Sequence, residues 1–217
     1  MGVGKLLELA VKRSAGGAAR EVQERISAAA SGRGTRVNWE DYNYPPYIRV
    51  VHYDDNDIEV PGQRAAVKWA HVCYILTTTS LLLNVAANIV LLCAGATDFV
   101  NCVYAFFNLV IVAVVGMYGF YHGYKGLATG NSRMTSRYLL VQIAVMIFML
   151  LSSLLGVSNF NGWLNLKRAK DASHLSGFWV GWTFFESSLW TLDLVLAVAV
   201  FYMVHTNSDH TPNLMPI

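Results

Sequence analysis

Residues 99–121, which read FVNCVYAFFNLVIVAVVGMYGFY, decide the fold of this chain. This stretch contains no Asp, Glu, Lys or Arg. As a helix that rises about 1.5 Å per residue, it is long enough to cross a hydrocarbon core of about 30 Å. Backbone N–H and C=O groups in lipid must be paired within their own segment, so the stretch predicts a transmembrane helix.

Three more apolar runs of similar length lie at residues 69–94, 138–157 and 177–205, and none contains an internal Lys or Arg. Hydrophobic residues make up 54% of the 217-residue chain, and only 14% is charged. Soluble proteins contain about 25% charged residues. The pattern therefore predicts an all-α membrane protein with four transmembrane helices, whereas four buried helices of a soluble protein are the alternative.

The distribution of composition divides the chain into four predicted regions. Residues 1–36 are expected to form an N-terminal cytoplasmic helix and linker, and residues 37–68 an aromatic and proline-containing strip before the membrane. Residues 69–205 form the predicted transmembrane domain, and residues 206–217 a polar tail. Within the strip, Pro45 and Pro46 exclude a regular helix and favour extended, polyproline-like backbone.

Positive charges near the ends of the runs predict the orientation. One face of the membrane would carry five of them and the opposite face three: Arg64, Lys68, Lys125, Arg133 and Arg137 against Lys167, Arg168 and Lys170. Since cytoplasmic loops are enriched in Lys and Arg, we expect the N- and C-termini in the cytoplasm.

Two acids lie inside the last apolar run. Glu186 and Asp193 are seven residues apart, nearly two helical turns, so they share one face of a helix. A charged group at the centre of a membrane helix costs about 2.5–3.5 kcal/mol on insertion scales, so each acid needs polar partners. The candidates for this intramembrane polar network are Asn84, Asn88, Asn108 and Gln142. The network either orients the helices or conducts protons, and the first interpretation is favoured.

Gly177 and Gly181 add a spacing of small residues that predicts close packing of the fourth helix.

No pattern in the sequence indicates catalysis. The six histidines are scattered without metal-ligand spacing, and neither a phosphate-binding loop nor a nucleophile elbow is present. The prediction is therefore a protein that is not an enzyme, with no metal, no cofactor and no catalytic residue. A net charge of +2, with acids interleaved among the basic residues, argues against nucleic-acid binding.

The connection predicted between the second and third helices, residues 122–137, is the candidate contact for lipid or protein partners. The candidate contact residues are Tyr121, which directly precedes this connection, and, within it, His122, Tyr124, Lys125, Arg133 and Arg137. Cations near an acidic leaflet attract anionic lipids such as phosphoinositides. A loop whose cations simply reach toward the headgroups is the alternative.

Three blocks of sequence together resemble the secretory carrier membrane protein (SCAMP) family over about residues 38–205. The first follows the family's pre-membrane segment and reads Asn43, Pro45, Pro46, His52, Asp54, Ile58, Pro61 and Gln63. The second, Phe120–Gly126, lies where the family has an aromatic and basic peptide. The third, Phe184–Leu189, places aromatic residues before a Glu-Ser pair. The chain contains none of the Asn-Pro-Phe repeats that many members carry.

The resemblance implies a non-enzymatic vesicle protein with four membrane helices, acting in post-Golgi and endosomal traffic, exocytosis and recycling. Its implied partners are the lipid bilayer, anionic lipids, and trafficking or coat proteins, and its implied sites are the Golgi, endosomes and plasma membrane. Assembly with itself or with other chains stays open. Two alternatives remain: an accessory subunit of a large membrane complex in the mitochondrial inner membrane, and a small proton-coupled transporter that uses Glu186 and Asp193.

Overall fold

The computed structural model describes residues 37–156, 159–172 and 175–208. Of the structure, 79% is helical, and no strand occurs among the described residues, so the predicted all-α fold is confirmed. The N-terminal helix predicted within residues 1–36 and most of the C-terminal tail lie outside the described residues. The chain divides after His52 into two units, which are considered separately.

The described part of the first unit, residues 37–52, is folded back on itself. Tyr44 and Val51 pair in an antiparallel bridge, and the amides of Ile48 and Arg49 donate to the carbonyl of Pro45 at 3.1 and 2.9 Å. The expectation of extended, polyproline-like backbone at Pro45-Pro46 is therefore wrong, because this turn closes directly after Tyr44. His52 is buried in this unit, with its ring Nδ1 2.9 Å from the carbonyl of Asp41.

Among its described residues, the second unit contains four long α-helices and one short α-helix. The long helices are α1 (Pro61–Cys93), α2 (Phe99–Thr129), α3 (Ser132–Leu154) and α5 (Ser176–Ser208), and the short helix is α4 (Leu166–Asp171). Each long helix is long and apolar enough to cross a membrane. The helix α1 begins eight residues before the predicted run. Pro61 is its first residue, and proline is tolerated there because a backbone N–H in the first turn has no partner within the helix.

The connection between α2 and α3 is only two residues long. Gly130 ends α2 with a φ of 66°, a left-handed conformation that glycine adopts without steric cost. Asn131 then caps α3, because its side chain accepts a hydrogen bond from the amide of Met134. The prediction of a loop over residues 122–137 is therefore wrong, since helix continues on both sides of this turn.

The long helices form a ring in which each packs against two neighbours: α1 and α3 each contact both α2 and α5. The ring closes where the first turn of α1 meets the end of α5, through a bond of 3.1 Å from Gln63 Nε2 to the carbonyl of Asn207. The two ends of the four-helix unit therefore lie on the same side.

Polar and apolar residues are distributed as expected for a bundle in lipid. The interior buries small and polar side chains such as Ser80, Asn84 and Ser187, whereas the outer surface exposes large apolar ones such as Phe106 and Leu140. Hydrocarbon solvates the outer surface as well as a protein core would, so helix association depends on packing and on polar contacts in the interior.

Small residues permit close packing between α2 and α3 rather than on α5. A methyl group added at Gly123 would lie 2.8 Å from the ring of Tyr138, and one at Gly126 would lie 2.7 Å from the backbone nitrogen of Thr135. Apart from the adjacent residues and the backbone of α5 itself, no described atom lies within 4 Å of such a group at Gly177 or Gly181. The prediction that these two glycines bring α5 close to a neighbour is therefore wrong.

Candidate functional site

The carboxylate of Glu186 lies in the bundle interior with only 2% of the residue exposed. Four neutral N–H groups reach it. The side-chain amides of Asn84 and Asn161 donate at 2.6 and 3.0 Å, and the indoles of Trp182 and Trp190 donate at 2.5 and 3.4 Å. Each carboxylate oxygen therefore accepts two bonds, an arrangement suited to an acceptor-only group.

The loop between α3 and α4 provides the polar surface that surrounds this acid. Its residue Asn159 is bound from α1 on both its backbone and its side chain: the amides of Asn84 and Asn88 donate to its carbonyl at 2.8 and 2.9 Å, and its own amide donates to Asn84 Oδ1 at 2.9 Å. From α2, the amide of Asn108 reaches Asn159 Oδ1 at 3.2 Å. One loop residue thus joins two membrane helices.

Two residues further along, Asn161 joins the same loop to α5. Besides its bond to Glu186, its side-chain oxygen accepts bonds from Trp179 Nε1 at 2.8 Å and Asn165 Nδ2 at 3.1 Å. Its carbonyl accepts a bond from the hydroxyl of Ser187 at 2.8 Å. Gly162 makes this path possible, because a methyl group there would lie 2.4 Å from the carbonyl oxygen of Leu155.

The second acid, Asp193, belongs to a separate and sparser cluster. Its Oδ1 lies 3.1 Å from the hydroxyl of Thr77 and 4.0 Å from the sulfur of Cys73, which in turn is 3.9 Å from Gln142 Nε2. Its Oδ2 is buried and has no hydrogen-bond partner among the described residues.

The six residues predicted as an intramembrane polar network therefore lie in two groups. Glu186, Asn84, Asn88 and Asn108 meet at the loop, whereas Asp193 and Gln142 meet near Cys73. Sequence reasoning missed the loop amides and the indoles of Trp179, Trp182 and Trp190. The signal for the amides was present as Asn159, Asn161 and Asn165, three carboxamides at close spacing beside an apolar run.

We predict that Glu186→Gln destabilises the protein more than Asp193→Asn. In either orientation, the NH2 group of Gln would face two N–H donors, which leaves buried donors unpaired at a cost of about 1–3 kcal/mol. The amide in Asp193→Asn can place its NH2 at the Oδ2 position, where no bond is lost. The measurement is the free energy of unfolding of the detergent-solubilised protein in an SDS titration. An equal or larger loss in Asp193→Asn would contradict the prediction.

A second set of contacts joins two of the sequence blocks described above. The hydroxyl of Tyr124, on α2, accepts a bond of 3.2 Å from the backbone amide of Asp54 and donates to the carboxylate of Asp57. Asp54 also caps the 3₁₀ turn Asp55–Asp57, since its side chain accepts from the amide of Asn56 at 2.9 Å. The segment before α1 is thereby docked against α2.

Aromatic packing and one ion pair reinforce this docking. The ring of Tyr53 lies edge-on to those of Phe120 and Tyr124, with centroids 5.2 and 5.3 Å away. Burial, together with the charges of Asp55 and Asp54, raises the pKa of Tyr53 to about 12. The carboxylate of Asp55 lies 2.6 Å from Lys68 Nζ, and this hydrogen bond lowers the pKa of the Asp55 carboxyl.

The pre-membrane residues of the first block fall in both units. Asn43, Pro45, Pro46 and His52 belong to the folded-back segment, and Asp54, Ile58, Pro61 and Gln63 belong to the helical unit. Ile58 is 1% exposed, and its carbonyl accepts a bond of 2.8 Å from Arg64 Nε.

The residues predicted as a lipid or partner contact differ in accessibility. Tyr121, His122, Tyr124 and Lys125 lie within α2, and Tyr124 is buried, so it is not available to an external partner. Lys125 is half-buried, with its ammonium 3.2 Å from the hydroxyl of Tyr121. Arg133 and Arg137 lie exposed in the first two turns of α3.

We predict that Tyr124→Phe loosens the segment before α1. The variant removes the hydroxyl between Asp54 and Asp57, and a hydrogen bond to a charged group contributes about 1.5–3 kcal/mol. The measurement is hydrogen exchange of the amides of residues 54–57, which should become about tenfold faster or more, since 1.4 kcal/mol corresponds to a factor of ten. Tyr121→Phe is the control, because its hydroxyl contacts a residue of its own helix. Equal exchange in both variants would count against the docking contact.

The fold and these interior contacts define a multi-pass integral membrane protein with four apolar helices and a polar interior. The model of the SCAMP family matches residues 41–211, which include all three sequence blocks. The chain belongs to the SCAMP family, and the resemblance predicted from the three blocks is confirmed. Comparison with curated proteins gives no match, and comparison with solved structures gives none either.

Proposed function

We propose that this chain is a non-enzymatic vesicle protein that acts in post-Golgi and endosomal membrane traffic, in exocytosis and recycling. The observation that carries the proposal is the family match over residues 41–211. Membership in this family implies a role in membrane traffic. The proposed compartments are the Golgi, endosomes and plasma membrane, and the proposed partners are anionic lipids and trafficking or coat proteins.

The interior contacts support a scaffold rather than a transport path. Of the four neutral donors that surround Glu186, Asn84 belongs to α1, Asn161 belongs to the loop, and Trp182 lies one turn before the acid on α5. The carboxylate therefore links α5 to α1 and to the loop. The second acid, Asp193, has contacts of its own with Thr77 and Cys73, and Gln142 in turn contacts the sulfur of Cys73. We therefore interpret the polar network as a device that positions the loop and the helices.

Both ends of the helical unit lie on one side, and the count of positive charges, five against three, favours the cytoplasm as that side. Under this orientation, Arg64, Lys68, Arg133 and Arg137 face the cytoplasm, and the hairpin at residues 94–98 faces the lumen. The docked segment Asp54–Ile58 would then present its acidic turn to cytoplasmic partners.

A C-terminal fluorescent tag on the full chain tests the proposed compartment. We expect puncta that coincide with post-Golgi and endosomal markers, together with plasma-membrane signal, and we expect added protease to remove the tag from permeabilised cells. A glycosylation acceptor inserted between Ala94 and Asp98 should be modified, because this hairpin is expected in the lumen. A mitochondrial network would instead support the accessory-subunit alternative.

Binding of anionic lipid is tested with the protein in nanodiscs of neutral lipid and a soluble short-chain phosphoinositide. Replacement of Lys125, Arg133 and Arg137 by Gln should weaken binding, since each cation near an anionic surface contributes about 1 kcal/mol. Wild-type binding should also weaken as salt rises. The control replaces Lys167, Arg168 and Lys170 at the opposite end of the bundle. Salt-insensitive binding, or an equal loss in the control, removes this part of the proposal.

A further inference from the structure

A crevice of about 280 Å³ lies between α2, α3 and the loop that follows α3. It extends from Leu155, just beyond the last residue of α3, to Phe148, which is seven residues or about 10 Å deeper. It is lined by Tyr104, Asn108, Phe148, Leu151, Ser152, Leu155, Asn159 and Phe160, none of which is charged.

The open side of the crevice faces hydrocarbon. The flanking residues Phe107 and Ile111 of α2 and Ile147 of α3 are about half exposed on helices apolar enough to span a membrane. An unfilled space of this size would cost its lining the dispersion contacts that a neighbour provides. A molecule of the bilayer is therefore the natural occupant.

The floor of the crevice contains two polar side chains, those of Asn108 and Asn159. Asn108 uses its amide nitrogen to donate to Asn159 Oδ1, but among the described residues no donor reaches its own side-chain oxygen. Asn159 is 2% exposed, and its bonds with Asn84 hold it beside Asn108. The hydroxyl of Ser152 is already used, because it donates to the carbonyl of Phe148 at 2.9 Å. The Asn108 oxygen is thus an acceptor that a ligand hydroxyl can use.

The walls favour a rigid, flat ligand. Tyr104, Phe148 and Phe160 place three aromatic rings around the space, and Phe148 and Phe160 lie edge to face with centroids 5.5 Å apart. The uncharged lining offers no cation to a phosphate or a carboxylate. A plain acyl chain has no group for the amide at the floor.

We propose that this crevice binds a membrane sterol, with the sterol hydroxyl donating to Asn108 Oδ1 and the fused rings lying against Tyr104, Phe148 and Phe160. The volume is just below the 300–1,000 Å³ of usual small-molecule pockets. The crevice therefore holds the hydroxyl end and the adjacent rings, while the rest of the sterol stays in the bilayer. The site does not depend on the proposed role in traffic.

The test is photolabelling of the full chain in nanodiscs with a cholesterol analogue that carries a diazirine on its ring system. We expect excess cholesterol to compete with the label and the 3-methyl ether of cholesterol, which lacks the donor, to compete poorly. The label should map to residues 104–108 or 148–160. Leu151→Trp should fill the crevice and reduce competed labelling about tenfold, which corresponds to a loss of about 1.4 kcal/mol in binding free energy.

Two variants keep the test decisive. Leu140→Trp, at a position of α3 that is 71% exposed and remote from the crevice, is the matched control and should label like wild type. Asn108→Leu should still label but lose the discrimination between cholesterol and its methyl ether. Uncompeted labelling, adducts elsewhere, equal labelling of Leu151→Trp, or equal competition by a phosphatidylcholine would overturn the proposal. Crosslinks between two copies through these residues would overturn it as well.

Discussion

A carboxylate inside a membrane bundle must receive hydrogen bonds from the protein, because no water or lipid tail supplies them, and Glu186 receives four. Those donors come from α1, from the loop after α3 and from α5 itself. The hydrogen bonds that Glu186 needs therefore come from groups that are distant in the sequence. Because Asn161 of the loop donates one of them, the loop must pass close to the acid. Removal of the acid would leave several buried donors without an acceptor.

The position of the loop has consequences on both of its sides. Towards α5, Asn161 and Ser187 hold it against the last helix. Towards α2, Asn159 reaches Asn108, and the space that remains between α2 and α3 is the crevice that we assign to a sterol. A contact that serves the stability of the bundle thus also shapes the surface that the bundle presents to lipid.

At the opposite end of the bundle, a second hydrogen-bonded contact also joins segments that are distant in the sequence. The Tyr124 hydroxyl joins α2 to the turn Asp55–Asp57 and to Asp54, so residues that are 67 and 70 positions apart in the sequence are neighbours in the structure. Phe120, Gly123 and Gly126 of the second block are buried together with Tyr124, whereas Tyr121, His122 and Lys125 are partly exposed. The family's aromatic peptide is, in this chain, partly an internal docking surface for the segment before the membrane.

The sequence by itself determined the four membrane helices, because run length and the absence of internal charge are local properties that lipid constrains strictly. It also indicated that Glu186 needs partners, and named Asn84 as one of them. Its expectations failed where a long-range contact decides: the glycines that approach a neighbour lie on α2 rather than at Gly177 and Gly181, and the supposed loop over residues 122–137 is helix apart from Gly130 and Asn131. Only the tertiary structure showed that Asn159 and Asn161 turn into the bundle and that Asp193 lies apart from Glu186. Such pairings depend on which helix faces pack against each other. Helical periodicity shows which residues share a face, but it does not show which other element that face contacts.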